Sequence, residues 1–471
     1  MLGRTRHIHF VGIGGIGMSG IAELLANLGY AVSGSDAKAS TTTDRLERLG
    51  VTVFIGHDPS HVGEADVVVA SSAIRSSNPE IVEARRRHVP VIPRAEMLAE
   101  LMRLRSGIAI AGAHGKTSTT SMVALVLERS GLDPTAVIGG RLSAFGSNAR
   151  LGSGEWMVAE ADESDGSFLK LSPVIAVVTN VDREHLDHYG TFERLCDAFV
   201  EFANRVPFYG AVIACLDDAE LRALLPRMTR RVVTYGLDAD GADLTGRDVA
   251  LEAFGARCGV DRRTTEGGRE ALGDLHLRVP GRHNLQNALA AVAVGEAVGL
   301  EFARVAAALS EFHGAERRFQ LLGEEDGVMV VDDYGHHPAE IAAALAAARA
   351  GLERRLLVVF QPHRYSRTAQ LLDEFGRVLA GADEVVLADI YAAGEDPVPG
   401  VTVEAVAEAI GRHAPVPVHV ARPLDAIPAL VAKLSRPGDM VLTLGAGSIG
   451  TVGERILQVL RSARAGSAVR S

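Results

Sequence analysis

The sequence predicts an α/β protein of three domains built on doubly wound parallel sheets. Three observations carry this reading. Two glycine-rich turns each separate an apolar run from a helical pattern, and a third stretch of alternating strands and helices begins near residue 319. A length of 471 residues is enough for roughly three domains with buried cores.

The first domain carries strand patterns at His7–Ile13, Ala31–Gly34, Val51–Ile55, Ala65–Ala70 and Val89–Ile92, with helices between several of them. After the first strand come Gly12, Gly14, Gly15 and Gly17, then the helical stretch Ile21–Leu28. Gly12-x-Gly14-x-x-Gly17, with Asp36 about twenty residues beyond, fits a dinucleotide fingerprint. It says that a diphosphate can sit there, not which nucleotide carries it; a nicotinamide oxidoreductase is one reading. Leu104–Gly107 is the junction to the next domain.

The second glycine-rich turn lies in Ala109-Ile-Ala-Gly-Ala-His-Gly-Lys-Thr-Ser-Thr-Thr120. Gly112 and Gly115 let the backbone curl so that N–H groups face an anion, and the next helix adds its positive end. Lys116 can reach terminal phosphates, and the Thr117 hydroxyl can hold Mg²⁺. The longer phosphate-loop pattern asks for glycine at position 110, where Ile110 stands. Gly107–Ala111, Trp156–Glu160, Val174–Asn180 and Ala211–Ala214 read as buried strands. Residues 236–275 read as short strands and loops, and Arg282 opens an Ala-rich helix. A linker falls near Phe312–Ala315. Beyond it, Val328–Asp332, Leu356–Gln361, Glu384–Ala388, Val418–Val420 and Met440–Leu444 alternate with helices.

A net charge of −11 argues against a broad nucleic-acid-binding face, while local arginine and glycine-loop sites still suit a small anion. The three cysteines, Cys196, Cys215 and Cys258, show no metal-binding or disulfide spacing. No apolar run reaches membrane-spanning length and no signal-peptide pattern opens the chain, so a cytoplasmic enzyme is expected, as a monomer or homodimer. Lysine occurs only at Lys38, Lys116, Lys170 and Lys433, which singles out Lys116 as a compact charge suited to phosphate.

Chemistry accumulates at four further places. Glu160, Asp162, Glu163 and Asp165 follow a strand, where carboxylates can hold Mg²⁺ or form a solvated turn. His185, Asp187 and His188 follow the next strand without the companions of a zinc site, so a structural histidine competes with a share in Mg²⁺ ligation. Val331-Asp-Asp-Tyr-Gly-His-His-Pro338 and Gln361-Pro-His-Arg-Tyr-Ser-Arg-Thr368 gather His, Arg and Tyr at strand ends, where Arg364 and Arg367 can clamp a carboxylate or phosphate. Asp332 also suits a helix cap.

Taken together, G-I-G-G-I-G-M-S-G, G-A-H-G-K-T-S, E-A-D-E-S-D, H-L-D-H-Y, G-R-H-N-L-Q-N-A, E-R-R-F, D-D-Y-G-H-H-P, P-H-R-Y-S-R-T and G-A-G-S-I-G resemble the Mur ligases in order and along the whole chain. The resemblance is greatest to the branch that adds L-alanine to UDP-N-acetylmuramate in peptidoglycan precursor synthesis. It implies a Rossmann-like UDP-binding domain at 1–106, a central P-loop ATPase-like domain at 107–316 and a Rossmann-like amino-acid-binding domain at 317–471. It reassigns the first loop to the UDP of the substrate, with Gly14, Gly15, Gly17, Met18 and Ser19 bordering the diphosphate and Asp36, Ser71 and Ser72 nearby.

ATP would bind through Gly112, Ala113, His114, Gly115, Lys116, Thr117 and Ser118. The same resemblance implies Mg²⁺ at Thr117, Glu160 and His185, adenine by His283 and Asn284, phosphates by Arg318, and ribose by Asp332. Tyr334, His336, His363, Arg364 and Arg367 would face L-alanine and the reacting carboxyl. Lys116, His185, Arg318, His336 and His363 are the expected catalytic set, acting after domain closure. Some relatives bridge metals with a carbamylated lysine, which is excluded here because no lysine lies between Lys170 and Lys433; Asp197 or Glu201 is a candidate for the missing charge. A recycling ligase that attaches a whole peptide to the same UDP-sugar is the nearest rival, and a catalytically silent nucleotide-binding regulator is another.

Overall fold

A computed structural model describes residues 3–71, 74–142, 147–350 and 353–468. By their contacts they form two compact units. One comprises Met1–Val249, Cys258–His276 and Leu285–His313; the other comprises Ala250–Arg257, Leu277–Asn284 and Gly314–Ser471.

The first unit opens with a five-stranded sheet in the order Thr52–Ile55, Ala31–Asp36, His7–Val11, Val67–Ala70, Val91–Pro93. Every neighbouring pair is parallel. The expected strand His7–Ile13 stops at Val11 because Gly12 turns the chain with φ +84°. The helix then starts at Ile16 and runs to Asn27, earlier than the apolar periodicity suggests.

Next comes a ten-stranded sheet whose centre is Ala211–Cys215, Ile175–Val178, Ser106–Ala111 and Trp156–Glu160, all parallel. Ser106–Ala111 is apolar on both faces, as a strand covered by helices on both sides must be. Helix Lys116–Arg129 follows it and buries ten consecutive residues, Ser118 to Leu127. The region read as short strands and loops instead contains three strands of nine residues each, Leu244–Glu252, Gly255–Arg263 and Arg269–Leu277. Their many exposed polar positions hide the alternation that marks a half-buried strand.

The second unit holds a six-stranded sheet ordered Gln320–Glu325, Val328–Asp333, Met440–Leu444, Leu356–Phe360, Glu384–Ala388, Val418–Ala421. Only the first pair is antiparallel. Alternate residues of its strands feed two cores. Val331, Val358, Phe360, Val385 and Leu442 pack with helices Pro338–Arg349, Leu372–Leu379 and Val403–His413. Val330, Leu357, Val359, Val386 and Val441 pack with Ile427–Leu434 and Val452–Ala468. Helices on both faces make this sheet doubly wound.

Cys196, Cys215 and Cys258 are free and buried, and burial pushes the Cys215 thiol up to about 11. No helix among the described residues is long and apolar enough to cross a membrane.

Candidate active site

Parallel sheets place their working loops at the carboxyl ends of the strands, and the predicted motifs collect there. In the first loop, the Ser35 carbonyl accepts N–H groups from Gly12 (2.8 Å) and Ile13 (3.0 Å). Asp36 Oδ2 accepts the N–H of Gly14 at 2.8 Å. Gly15 caps the following helix without a side-chain bond. A Cβ at Gly17 would stand 2.5 Å from Arg94 Nη1, so glycine makes room for a guanidinium that also reaches Asp162 at 3.0 Å. Met18 and Ser19 point into the core, 2% and 0% exposed. Their backbone N–H groups bond the Gly15 carbonyl, so neither offers its backbone N–H to a ligand in this arrangement. The Ser71 N–H donates to Val11, and Ser72 lies outside the described residues.

The second loop is built more tightly. Gly112 has φ +136°, and a Cβ there would overlap Thr179 Oγ1. Gly115 has φ +83° and faces Asn287 Oδ1 at 2.7 Å from its would-be Cβ. His114 donates its N–H to Asn180 Oδ1 (2.8 Å), and its Nε2 lies 2.9 Å from Asp182 Oδ2. Lys116 Nζ folds onto its own loop, donating to Gly112 O (2.6 Å), Ala113 O (3.2 Å) and Glu163 Oε1 (2.8 Å). Ser118 is nearly buried behind the loop.

The acidic segment completes this centre. Thr117 Oγ1 donates to Glu160 Oε2 at 3.3 Å. His185, held at φ +57°, has Nε2 3.7 Å from Glu163 Oε1 and 3.8 Å from Glu184 Oε2. One ligand atom from each of Glu163, Glu184 and His185 falls within 4.8 Å of the others. Glu163 is 1% exposed and its Oε2 has no hydrogen-bond partner. Burial pushes its carboxyl up to about 7 against the pull of Lys116. A buried oxygen of this kind beside further carboxylates and a hydroxyl fits a hard divalent cation.

Glu163, one of the four carboxylates read as able to hold Mg²⁺, was left out of the expected ligand set, and Glu184, immediately before H-L-D-H-Y, was not named. Asn287 was missed too; its Oδ1 accepts from Thr119 Oγ1 at 3.1 Å, and its signal was the second Asn of G-R-H-N-L-Q-N-A. Asp197 and Glu201 do not join the cluster. They are exposed partners of Arg227 and Arg205.

The second unit gathers the remaining predicted residues. Tyr334 and His336 rings lie 5.3 Å apart, His336 and His363 5.6 Å, and Arg367 Nη1 is 3.4 Å from His363 Nδ1. Burial, with His336 and the two nearby arginines, pushes His363 down to about 4. Arg364 adopts φ +70°, held by its N–H bond to Tyr391 O at 2.8 Å. Arg318 lies over the Tyr334 ring and 3.6 Å from Glu340. His283, pushed down to about 4 by burial and Arg318, and Asn284 belong by contacts to this unit.

Asp332, expected by the ribose, is 1% exposed, with Arg317 Nε at 2.7 Å and Thr443 Oγ1 at 2.5 Å. Both its oxygens are thus engaged inside the protein. Its neighbour Asp333, legible in the same D-D-Y run but not chosen, ties Phe319 and Gly335 N–H groups at 2.7 Å each.

Comparison with known proteins covers all of these segments. Family models match as Mur ligase family, catalytic domain, over residues 7–106, as Mur ligase middle domain over 110–295, and as Mur ligase, glutamate ligase domain over 317–447. The chain is 54% identical to a UDP-N-acetylmuramate–L-alanine ligase of Syntrophotalea carbinolica across 98% of its own length and 99% of the relative's. The same-named protein of Geobacter sulfurreducens is 53% identical across 98% and 100%. Among solved structures, a UDP-N-acetylmuramate–alanine ligase of Thermotoga maritima superposes with a TM-score of 0.83 at 30% identity, covering 98% of this chain and 100% of that one. A murein peptide ligase of Psychrobacter arcticus shares the fold, with a TM-score of 0.72 at 24% identity, covering 97% and 98%.

Proposed function

The chain belongs to the Mur ligase family, and from that premise we propose that it joins L-alanine to the lactyl carboxylate of UDP-N-acetylmuramate at the expense of ATP, making a peptidoglycan precursor for cell-wall growth. The single observation that carries the chemistry is the Lys116 loop closed against Glu160 and Glu163, with His185 beside Glu163, in a chain 54% identical to an alanine-adding ligase over its length.

A carboxylate is a poor electrophile and must be activated. Its oxygen attacks the γ-phosphorus of ATP, ADP leaves, and an acyl phosphate results. The neutral amine of L-alanine then attacks the acyl carbon; inorganic phosphate leaves and the amine gives up a proton. Lys116, freed from Glu163 by the arriving phosphates, offsets charge on the moving phosphoryl group, with Arg318 assigned to the same task. Thr117, Glu160 and His185, with Glu163 and Glu184 beside them, would hold Mg²⁺, which supplies charge neutralisation at the phosphates. His363 is kept neutral by its surroundings, so with His336 it suits contact with the amine rather than with a second cation. Arg364 and Arg367 orient a carboxylate. The first loop receives the UDP diphosphate through its backbone and Arg94. We place the reaction in the cytoplasm, where ATP and reduced cysteines are both at home.

The test is phosphate release from ATP with UDP-N-acetylmuramate, with and without L-alanine, together with product mass. Alanine-dependent release with the matching amide supports the proposal. Release with a tripeptide but not with alanine would overturn it in favour of the recycling activity, and NAD(H) binding without release would return the first loop to an oxidoreductase.

A further inference from the structure

We propose that Glu80 is a positioning residue for the first glycine loop, acting through Ser35 to hold the loop in the shape that receives the UDP-sugar. This rests on the reading of that loop given above.

Glu80 lies in the first turn of helix Pro79–Arg86 and is completely buried. Four groups surround its carboxylate. Oε2 is 2.7 Å from His9 Nε2 and accepts from Ser35 Oγ at 2.8 Å. Oε1 is 2.9 Å from His57 Nδ1 and 3.7 Å from His61 Nδ1. Burial works to raise the carboxyl, and the bonds from His9, Ser35 and His57 outweigh it, so Glu80 is ionised.

An ionised carboxylate only accepts, which sets the direction of the bonds around it. His9 donates from Nε2 and can take the Ser33 hydroxyl at Nδ1 (2.8 Å), while His7 Nε2 reaches the same hydroxyl at 2.8 Å. A continuous chain thus runs from His7 through Ser33 and His9 to Glu80.

A fold seeking only stability has little reason to bury this carboxylate, since apolar residues of similar volume are usually as good. Its other end explains it. Ser35 touches both the Glu80 carboxylate, through its hydroxyl, and the glycine loop, through its carbonyl, which takes the N–H groups of Gly12 and Ile13. The next residue, Asp36, takes Gly14. The end of strand Ala31–Asp36 is therefore the cradle of the loop, and Glu80 fixes it from beneath. His57, 3.0 Å from Ser35 Oγ, fixes it from the side.

The experiment uses the full chain with Ser35→Ala, Glu80→Gln and the double substitution. UDP-N-acetylmuramate binding is titrated directly, KM is measured for each of the three substrates, and thermal midpoints are recorded. Both single variants are expected to weaken UDP-N-acetylmuramate binding about tenfold, with the KM of ATP and L-alanine unchanged and kcat within about twofold. The double variant is expected to be no worse than the weaker single one, because one chain of contacts is cut twice. Normal UDP-N-acetylmuramate affinity in Ser35→Ala would overturn the proposal, as would an equal rise in all three KM values. Ser35→Ala leaves His9 and His57 on the carboxylate, so it decides the matter if Glu80→Gln does not fold. If the wild-type chain fails to turn over UDP-N-acetylmuramate, the proposed function falls by itself. UDP alone is then the probe, and equal UDP affinity in wild type and Ser35→Ala would refute the positioning role.

Discussion

Lys116 Nζ sits 2.8 Å from Glu163 Oε1, so the cation of the phosphate loop is paired with a carboxylate buried in the neighbouring acidic segment. The pair lets a positive charge wait beside its ligand site without being left alone in a poorly solvated place. Arriving phosphates compete for the ammonium, and a cation competes for the carboxylate, so the nucleotide and its cation loosen the same contact.

Lys116→Ala is therefore expected to lower kcat by about 10³-fold or more while the chain still folds. Glu163 then stays protonated. Its folded pKa of about 7 already exceeds 4.5, so the native state holds the extra proton between these values and stability falls as pH rises through that window. Loss of Lys116 extends the fall to higher pH. Thermal midpoints at pH 6 and pH 8 check this; a variant with near-normal turnover would remove Lys116 from the mechanism.

Chelation is expected to stop turnover and added Mg²⁺ to restore it. Glu160→Gln should raise the Mg²⁺ concentration needed for half-maximal rate by about 10–100-fold, with the melting midpoint nearly unchanged. Titration of rate against Mg²⁺ measures both; an unaltered requirement would take Glu160 out of the cation site.

The two loop glycines should separate. Gly112→Ala forces a Cβ onto Thr179 and a left-handed backbone on alanine, so nucleotide binding is lost and stability falls by about 1–3 kcal/mol. Gly115→Ala also places alanine at a left-handed backbone, but its Cβ meets the side-chain end of Asn287 and no backbone atom, so it is expected to be milder in both. ATP titration and urea unfolding of the two variants side by side give the comparison.

His363 has a folded pKa near 4, below its ordinary 6.5, so the native state binds fewer protons than the unfolded chain between these values. Its contribution to stability is present above pH 6.5 and is lost as pH falls towards 4. His363→Asn should flatten that acid loss, read as the midpoint at pH 5 relative to pH 7.5. An unchanged slope would mean that His363 is freely protonated in the folded protein.

Arg317→Gln strips the buried Asp332 of its partner and should destabilise by about 3 kcal/mol. The half-exposed pair Arg129–Glu311 provides the contrast, since Arg129→Gln should cost no more than about 1 kcal/mol. Equal effects in urea unfolding would contradict the inward role of Asp332.

Much of this was legible in the sequence because strand–glycine–helix units are local signals. Gly112 stops a strand at the predicted place, Gly12 ends one two residues sooner than the apolar run suggests, and the buried strands Trp156–Glu160, Glu384–Ala388 and Met440–Leu444 match residue for residue. Residues 244–277 were misread because their strands are largely solvent-facing. The partner of Asp332 was not legible, because a carboxylate in a motif looks the same whether it faces a ligand or, as here, Arg317. The Glu80 network could not be read at all: its partners stand up to 71 positions away, and only the parallel pairing of the first two strands brings His9 beside Ser33.

The burial of Cys196, Cys215 and Cys258 has a practical consequence. A cysteine introduced on the surface becomes the fast-reacting thiol of the molecule, with no need to remove the native three. A donor dye in one unit and an acceptor in the other would then read, by fluorescence transfer, whether nucleotide binding changes the distance between them, with the native cysteines left in place.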